Sequence, residues 1–229
     1  MDQTRHFHHQ ATLPAILILL LATIGLLFYG IYHYADQTTL PSGAAQSSIG
    51  VLLEEASASK LKQLQKSGIS FVYLKATGNT EAEVKLVKQT KLAYGIMVNV
   101  DSQTSASQQV AKVEKQVKSF GRLPILLDTG QSDLDASGLT RLSEMAKLLQ
   151  AKMPKQEVMV NASRSYAGLM PKGIKFLATS QKAPSRLKYC FWQYTSKGHV
   201  ASTGFSHYTM YAYLGTNQQY KQKYGQLTQ

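Results

Sequence analysis

Acidic residues are scarce in this chain of 229 residues: 13 Asp and Glu stand against 25 Lys and Arg, a formal charge of +12. There is one cysteine, Cys190, which excludes an intramolecular disulfide, and no Cys/His cluster has the spacing of a zinc site. No metal and no cofactor is expected. Arg-rich runs and the aromatic signature of RNA-binding sheets are also missing, so nothing beyond charge supports a nucleic-acid partner. The charge leaves three outlets: an anionic lipid, an acidic wall polymer, or a solvated basic surface. Cys190 lies in the apolar run Tyr189-Cys190-Phe191-Trp192 and reads as a small core residue. His6, His8 and His9 read as a solvated flank.

Charge is absent altogether between Arg5 and Asp36. Within that gap Leu13 to Ile31 is dominated by Leu, Ile and Ala, and its length suits a bilayer crossing of roughly 20 residues. Tyr29, Tyr32 and Tyr34 at one end suit an interfacial aromatic belt. Arg5 is the only Lys or Arg before the segment, which favours a cytoplasmic N-terminus and an extracellular remainder. A cleaved signal peptide is the competing possibility, but the run is long for one and no Ala-x-Ala site follows it directly. The expected organisation is a cytoplasmic segment over 1–12, a transmembrane signal-anchor over 13–34, and a flexible linker over 35–48. A folded domain over 49–215 and a polar tail over 216–229 complete it.

From Ser47 onward short apolar runs alternate with helical patterns. Strands are expected at Ile49–Leu53, Ser70–Lys75, Tyr94–Val100, Ile125–Leu127 and Glu157–Val160. Helices are expected between them, at Ala58–Lys66, Glu81–Lys91, Ser105–Phe120 and Ser137–Ala151. The last of these repeats Leu139, Leu142, Met145, Ala146 and Leu149 at helical spacing. After a short helical stretch from Ser163, three more strands are expected, at Lys175–Ala178, Tyr189–Tyr194 and His207–Tyr211. Such alternation predicts an α/β fold with a parallel sheet, closed as an irregular TIM-like barrel whose last helices are missing.

The fourth strand ends in Asp128, where barrel enzymes carry their chemistry. Three segments then carry a family likeness. Ser67-Gly68-Ile69-Ser70-Phe71-Val72-Tyr73-Leu74-Lys75-Ala76-Thr77 is the first, Leu123-Pro124-Ile125-Leu126-Leu127-Asp128 the second, and Trp192-Gln193-Tyr194-Thr195-Ser196-Lys197-Gly198 the third. Together, in this order, they resemble glycoside hydrolase family 25, the muramidases (lysozymes) of bacteria and phages. The likeness covers roughly residues 47–215. It implies five strand-helix units followed by three strands, a peptidoglycan or other cell-wall glycan partner, and acids at the strand ends.

The same likeness implies that several of those acids are replaced. Counting along the motifs places the family's first-strand Asp on Val51 and the Glu after Lys-Ala-Thr on Gly78. A Tyr-His pair falls near Met97-Val98, the Glu of Asp-x-Glu on Gly130, and the late Asp near His207. Asp128, Lys75 and the group Trp192, Gln193 and Tyr194 keep the pocket-forming pattern: Asp128 as a catalytic acid, the others as substrate contacts. Glu54 is the candidate for a substitute second acid, and at the start of a helix it equally suits the helix dipole. Asp128 has a structural alternative as the cap of a strand-end loop, and Trp192 and Tyr194 have one as core rings. Three functions follow: a membrane-anchored, muramidase-like protein that binds glycan or a partner without cleaving it, an active N-acetylmuramidase using Asp128 with Glu54 or another unconventional acid, or a purely structural envelope protein whose barrel has no pocket.

Overall fold

The computed structural model describes residues 16–27, 37–42, 47–130, 134–204 and 207–225. The chain divides into two compact units, Met1–Gln37 and Thr38–Gln229. In the first, residues 16–27 are an exposed apolar helix. The rest of the expected span, 13–15 and 28–34, lies outside the described residues, and among the described residues no helix is long and apolar enough to cross a membrane.

The second unit is an eight-stranded closed barrel with its strands in sequential order. It runs β1 (Ile49–Leu53), α1 (Ala58–Lys66), β2 (Phe71–Lys75), α2 (Thr80–Lys88), β3 (Ala93–Asn99), α3 (Ala106–Gln116), β4 (Ile125–Asp128), α4 (Ala136–Lys152) and β5 (Val158–Asn161). A 3₁₀ turn (Arg164–Leu169) stands where a fifth helix would be, followed by β6 (Lys175–Thr179), β7 (Phe191–His199), β8 (His207–Tyr213) and α5 (Asn217–Lys223). Neighbours from β1 to β7 pair in parallel, while β8 is antiparallel to both β7 and β1. The eight-stranded barrel expected from the sequence is observed, with a 3₁₀ turn in place of the fifth helix, an antiparallel last strand and a helix after it.

Local chemistry starts and stops these elements. Ser57, Ser105 and Asp135 cap α1, α3 and α4 by accepting from the backbone N–H of Lys60, Gln108 and Gly138. Leu61 and Leu64 of α1, Val110 and Val113 of α3, and Leu142, Met145 and Leu149 of α4 are buried stripes at helical spacing. Along each strand, alternate side chains divide between two cores. Val72 and Leu74 pack outward against the helices, while Phe71 and Tyr73 fill the barrel interior with Met97, Leu126, Met159 and Phe191. Gly50 leaves room for this filling: a Cβ there would meet the Phe71 ring at 2.2 Å.

The end of the chain departs from expectation. In place of a polar tail from residue 216, α5 opens with a capping box at Thr216 and Gln219 and inserts two aromatic rings at the N-terminal end of the barrel. Tyr220 and Tyr224 are buried against Phe71 and Phe191, with ring centroids 5.7 Å (Phe71–Tyr220) and 5.3 Å (Phe191–Tyr224) apart. The Tyr224 hydroxyl donates to Glu157 Oε2 at 2.7 Å, and Arg122 donates to the carbonyls of Lys223 and Gly225. Part of the expected linker is also tied down. Thr39 N–H donates to the His199 carbonyl at 2.8 Å, Tyr194 Oη donates to the Thr39 carbonyl at 2.9 Å, and Pro41 is buried.

Candidate functional site

The period of two that fills the barrel also decides which residues reach its open end. Asp128 shares a face with Leu126, Asn161 with Met159, Thr179 with Leu177, and Gln193 with Phe191, all of them interior residues at the apolar partner position. Above this apolar filling a cavity of about 290 Å³ opens at the C-terminal ends of the parallel strands. Leu52, Asp128, Gly130, Asn161, Thr179, Gln193, Thr209 and Tyr211 line it.

A short polar chain crosses three strands along its wall. β4 and β5 pair so that Asp128 lies opposite Asn161. Asn161 Nδ2 donates to Asp128 Oδ1 at 3.0 Å, and Thr179 Oγ1 donates to Asn161 Oδ1 at 3.3 Å. The Gly130 N–H donates to the same Asp128 Oδ1 at 2.9 Å, an Asx-type turn closed over the strand end. Gly130 has φ +72°, in the left-handed region that glycine enters without strain. Burial pushes the Tyr211 hydroxyl far above its ordinary pKa, and the Asp128 charge pushes it further, so Tyr211 stays a neutral donor. The wall therefore offers two amides, three hydroxyls and one carboxylate over an apolar floor, a surface suited to sugar hydroxyls.

Of the sequence-derived residues, Asp128 and Gln193 meet in this cavity. Trp192 and Tyr194 do not. They lie on the opposite face of β7, where Trp192 is fully buried and Tyr194 nearly so. The indole Nε1 of Trp192 donates to the Ser180 carbonyl at 2.6 Å. Neither ring is open to stack on a sugar, and their place in the outer core is the structural alternative the sequence allowed. Lys75 and Glu54 form an ion pair at 2.5 Å beside the cavity, with side chains 27 % and 72 % exposed. Neither lines the 290 Å³ cavity. Lys75 instead contributes to a second cavity, of about 580 Å³, between the ends of β2 and β3 and helix α3. Among the described residues Asp128 is the one carboxylate on the wall, and Asp133 falls outside the described residues.

No family model matches the chain, and no curated protein matches it. Solved structures do. A family 25 glycosyl hydrolase from Bacillus anthracis superposes with a TM-score of 0.62 at 16 % identity, covering 83 % of this chain and 98 % of that one. The endolysin CTP1L superposes with a TM-score of 0.52 at 19 % identity, covering 76 % of this chain and 68 % of that one. The fold is that of the family 25 glycosyl hydrolases.

Two positions counted from the motifs do not line the cavity. Val51 points into the outer core and is fully buried, so the residue β1 presents to the cavity is Leu52. On β8, His207 is exposed where it pairs with His199, and Thr209 is the residue on the wall. Gly130 lines the wall, and a Cβ built there meets nothing within 4 Å. The motifs missed Asn161, Thr179, Thr209 and Tyr211. The missed signal was register: a polar residue ends β5 and β6 as Asp128 ends β4.

Proposed function

We propose that the chain is a cell-envelope protein whose muramidase-type barrel binds peptidoglycan or a related cell-wall glycan without hydrolysing it. The apolar segment Leu13 to Ile31 holds it in the cell membrane, with the barrel on the extracellular side. One observation carries the first part. Cleavage of a glycosidic bond takes two carboxyl-type groups facing the bond, commonly about 5–10 Å apart. Asp128 has no carboxylate companion on the cavity wall among the described residues, and Glu54, which is not on that wall, is paired with Lys75. Where the family pattern has a Glu, Gly130 offers a backbone N–H that binds the remaining acid. The wall carries amides and hydroxyls that suit a sugar and, among the described residues, no second carboxylate to serve as proton donor. Support for the anchor is the uncharged stretch itself, whose central part, residues 16–27, is an exposed apolar helix.

Retention on peptidoglycan tests the binding. The full chain in mild detergent is expected to sediment with insoluble peptidoglycan, and Gln193→Leu, which removes one amide from the wall, is expected to weaken retention about fivefold. Absence of retention, or retention indifferent to Gln193, contradicts the reading. Alkaline carbonate extraction tests the anchor: an integral chain stays with the membrane, and release into the wash contradicts it.

A further inference from the structure

Six exposed lysines of this protein lie away from the glycan-binding face. Carboxylates gather at the cavity end: Glu54 and Glu55 follow β1, Asp101 follows β3, and Asp135 caps α4. Cations gather at the opposite end, where helices finish and strands begin. Lys66, Lys91, Lys118, Lys155, Lys172 and Lys221 lie there in the last turns of α1 and α5 or in the loops before β2 to β6, and all six are exposed. Three acids also reach this end, and all are engaged: Glu114 with Lys152, Glu157 with Lys175 and Lys223, and Glu81, which accepts from the Lys118 backbone N–H at 2.5 Å. None of the six lysines forms an ion pair among the described residues.

Helix dipoles account for part of this, since acids favour the first turn of a helix and bases the last. They do not account for Lys91, Lys118, Lys155 and Lys172, which lie outside the helices. Lys118 and Lys155 also flank a shallow groove of about 530 Å³ whose floor includes Phe120, Met153 and Pro154. Basic side chains around partly exposed apolar ones suit a lipid surface, where the ammonium groups meet phosphates and the apolar groups meet the glycerol and upper acyl region. A wall polymer held by the glycan cavity would meet the acidic end instead.

We propose that the helix-end face of the barrel docks on an anionic phospholipid bilayer, so that the cavity at the other end points away from the membrane. The proposal rests on the charge and groove of the barrel itself and does not require the N-terminal anchor.

Amine acetylation of the full chain, read lysine by lysine by mass spectrometry, tests it. The protein is placed in nanodiscs of phosphatidylcholine alone and of phosphatidylcholine with roughly a third phosphatidylglycerol. Each basic residue at such a surface shifts partitioning by about fivefold, so slowing of at least that order is expected at the six lysines in the anionic discs. Lys60 and Lys75, at the cavity end, serve as references whose rates stay unchanged. Raising salt to ~1 M, where the screening length is about 3 Å, is expected to abolish the difference. A combined Lys91→Glu, Lys118→Glu and Lys155→Glu variant, shown folded by circular dichroism, is expected to lose the protection at Lys66, Lys172 and Lys221. Equal rates in the two disc types, or equal slowing of the six and the references, overturns the proposal. If alkaline wash removes the chain from the discs, the anchor has failed, and the same footprint is read on chain added freely to discs in excess.

Discussion

Asp128 can serve as a reacting acid or as the pin that closes the end of β4, and a pair of substitutions separates the two. Its Oδ1 accepts from Asn161 Nδ2 at 3.0 Å and from the Gly130 N–H at 2.9 Å. Asp128→Ala deletes both bonds and leaves the Asn161 amide facing an empty place. At about 1 kcal/mol net for each bond in this half-exposed setting, the loss is about 2 kcal/mol. In a domain of this size that lowers Tm by roughly 4–8 °C. Asp128→Asn keeps an oxygen able to accept from both donors and loses only the charge assistance, so its cost stays within about 1 kcal/mol. The expectation is therefore a graded series in thermal denaturation, wild type slightly above Asn and both well above Ala. Peptidoglycan retention by the Asn variant should stay within about fivefold of wild type, since the cavity keeps its shape. The reasoning is refuted by an Asn variant with unchanged Tm that loses retention altogether, or that loses a hydrolytic activity the wild type has. Either outcome makes the negative charge functional.

Other outcomes follow from the same structure. Tyr224→Ala removes the ring that closes the N-terminal end of the barrel and is expected to cost about 3–5 kcal/mol in denaturant unfolding; a cost under about 1 kcal/mol contradicts the plug. Burial raises the hydroxyls of Tyr73, Tyr211, Tyr220 and Tyr224 above their ordinary pKa of 10.0, with the Glu157 bond raising Tyr224 further. A raised folded-state pKa gives stability that is complete below pH ~10 and fades as pH climbs above it, so these tyrosines should ionise together with loss of circular dichroism; smooth titration near pH 10 of all 13 tyrosines in an intact fold refutes this. Trp192 is the single tryptophan and is fully buried, so its emission should resist acrylamide quenching and stay fixed when glycan is added; a glycan-induced shift would place it at the site.

The barrel was legible in the sequence because its strands and helices differ in period. Leu142, Met145, Ala146 and Leu149 mark α4 as clearly as the continuous run Ile125-Leu126-Leu127 marks a strand buried on both sides. What a motif cannot convey is the face on which each residue falls. The run Trp192-Gln193-Tyr194 matches as a block, yet a strand turns alternate residues to opposite sides, and Gln193 alone faces the cavity. The same one-residue parity separates Val51 from Leu52. The C-terminal segment was read as polar because Gln and Lys outnumber its two buried tyrosines. Those rings gain their meaning only from Phe71 and Phe191, which the barrel brings beneath them. Likewise the +12 charge gave no hint that Lys66, Lys91, Lys118, Lys155, Lys172 and Lys221 share one end, because that depends on which way each helix runs.

Turnover on a defined substrate tests the central claim most directly. The full chain is incubated with purified peptidoglycan, and new reducing ends and released muropeptides are followed by chromatography and mass spectrometry beside an active family 25 muramidase. Loss of a general acid alone costs about 10²–10⁴-fold in rate. The account predicts glycan that is bound and recovered intact, with release at least that far below the active enzyme. Muropeptide release at a rate near that enzyme's, abolished by Asp128→Asn, would contradict it and show that Asp128 works with a second acid.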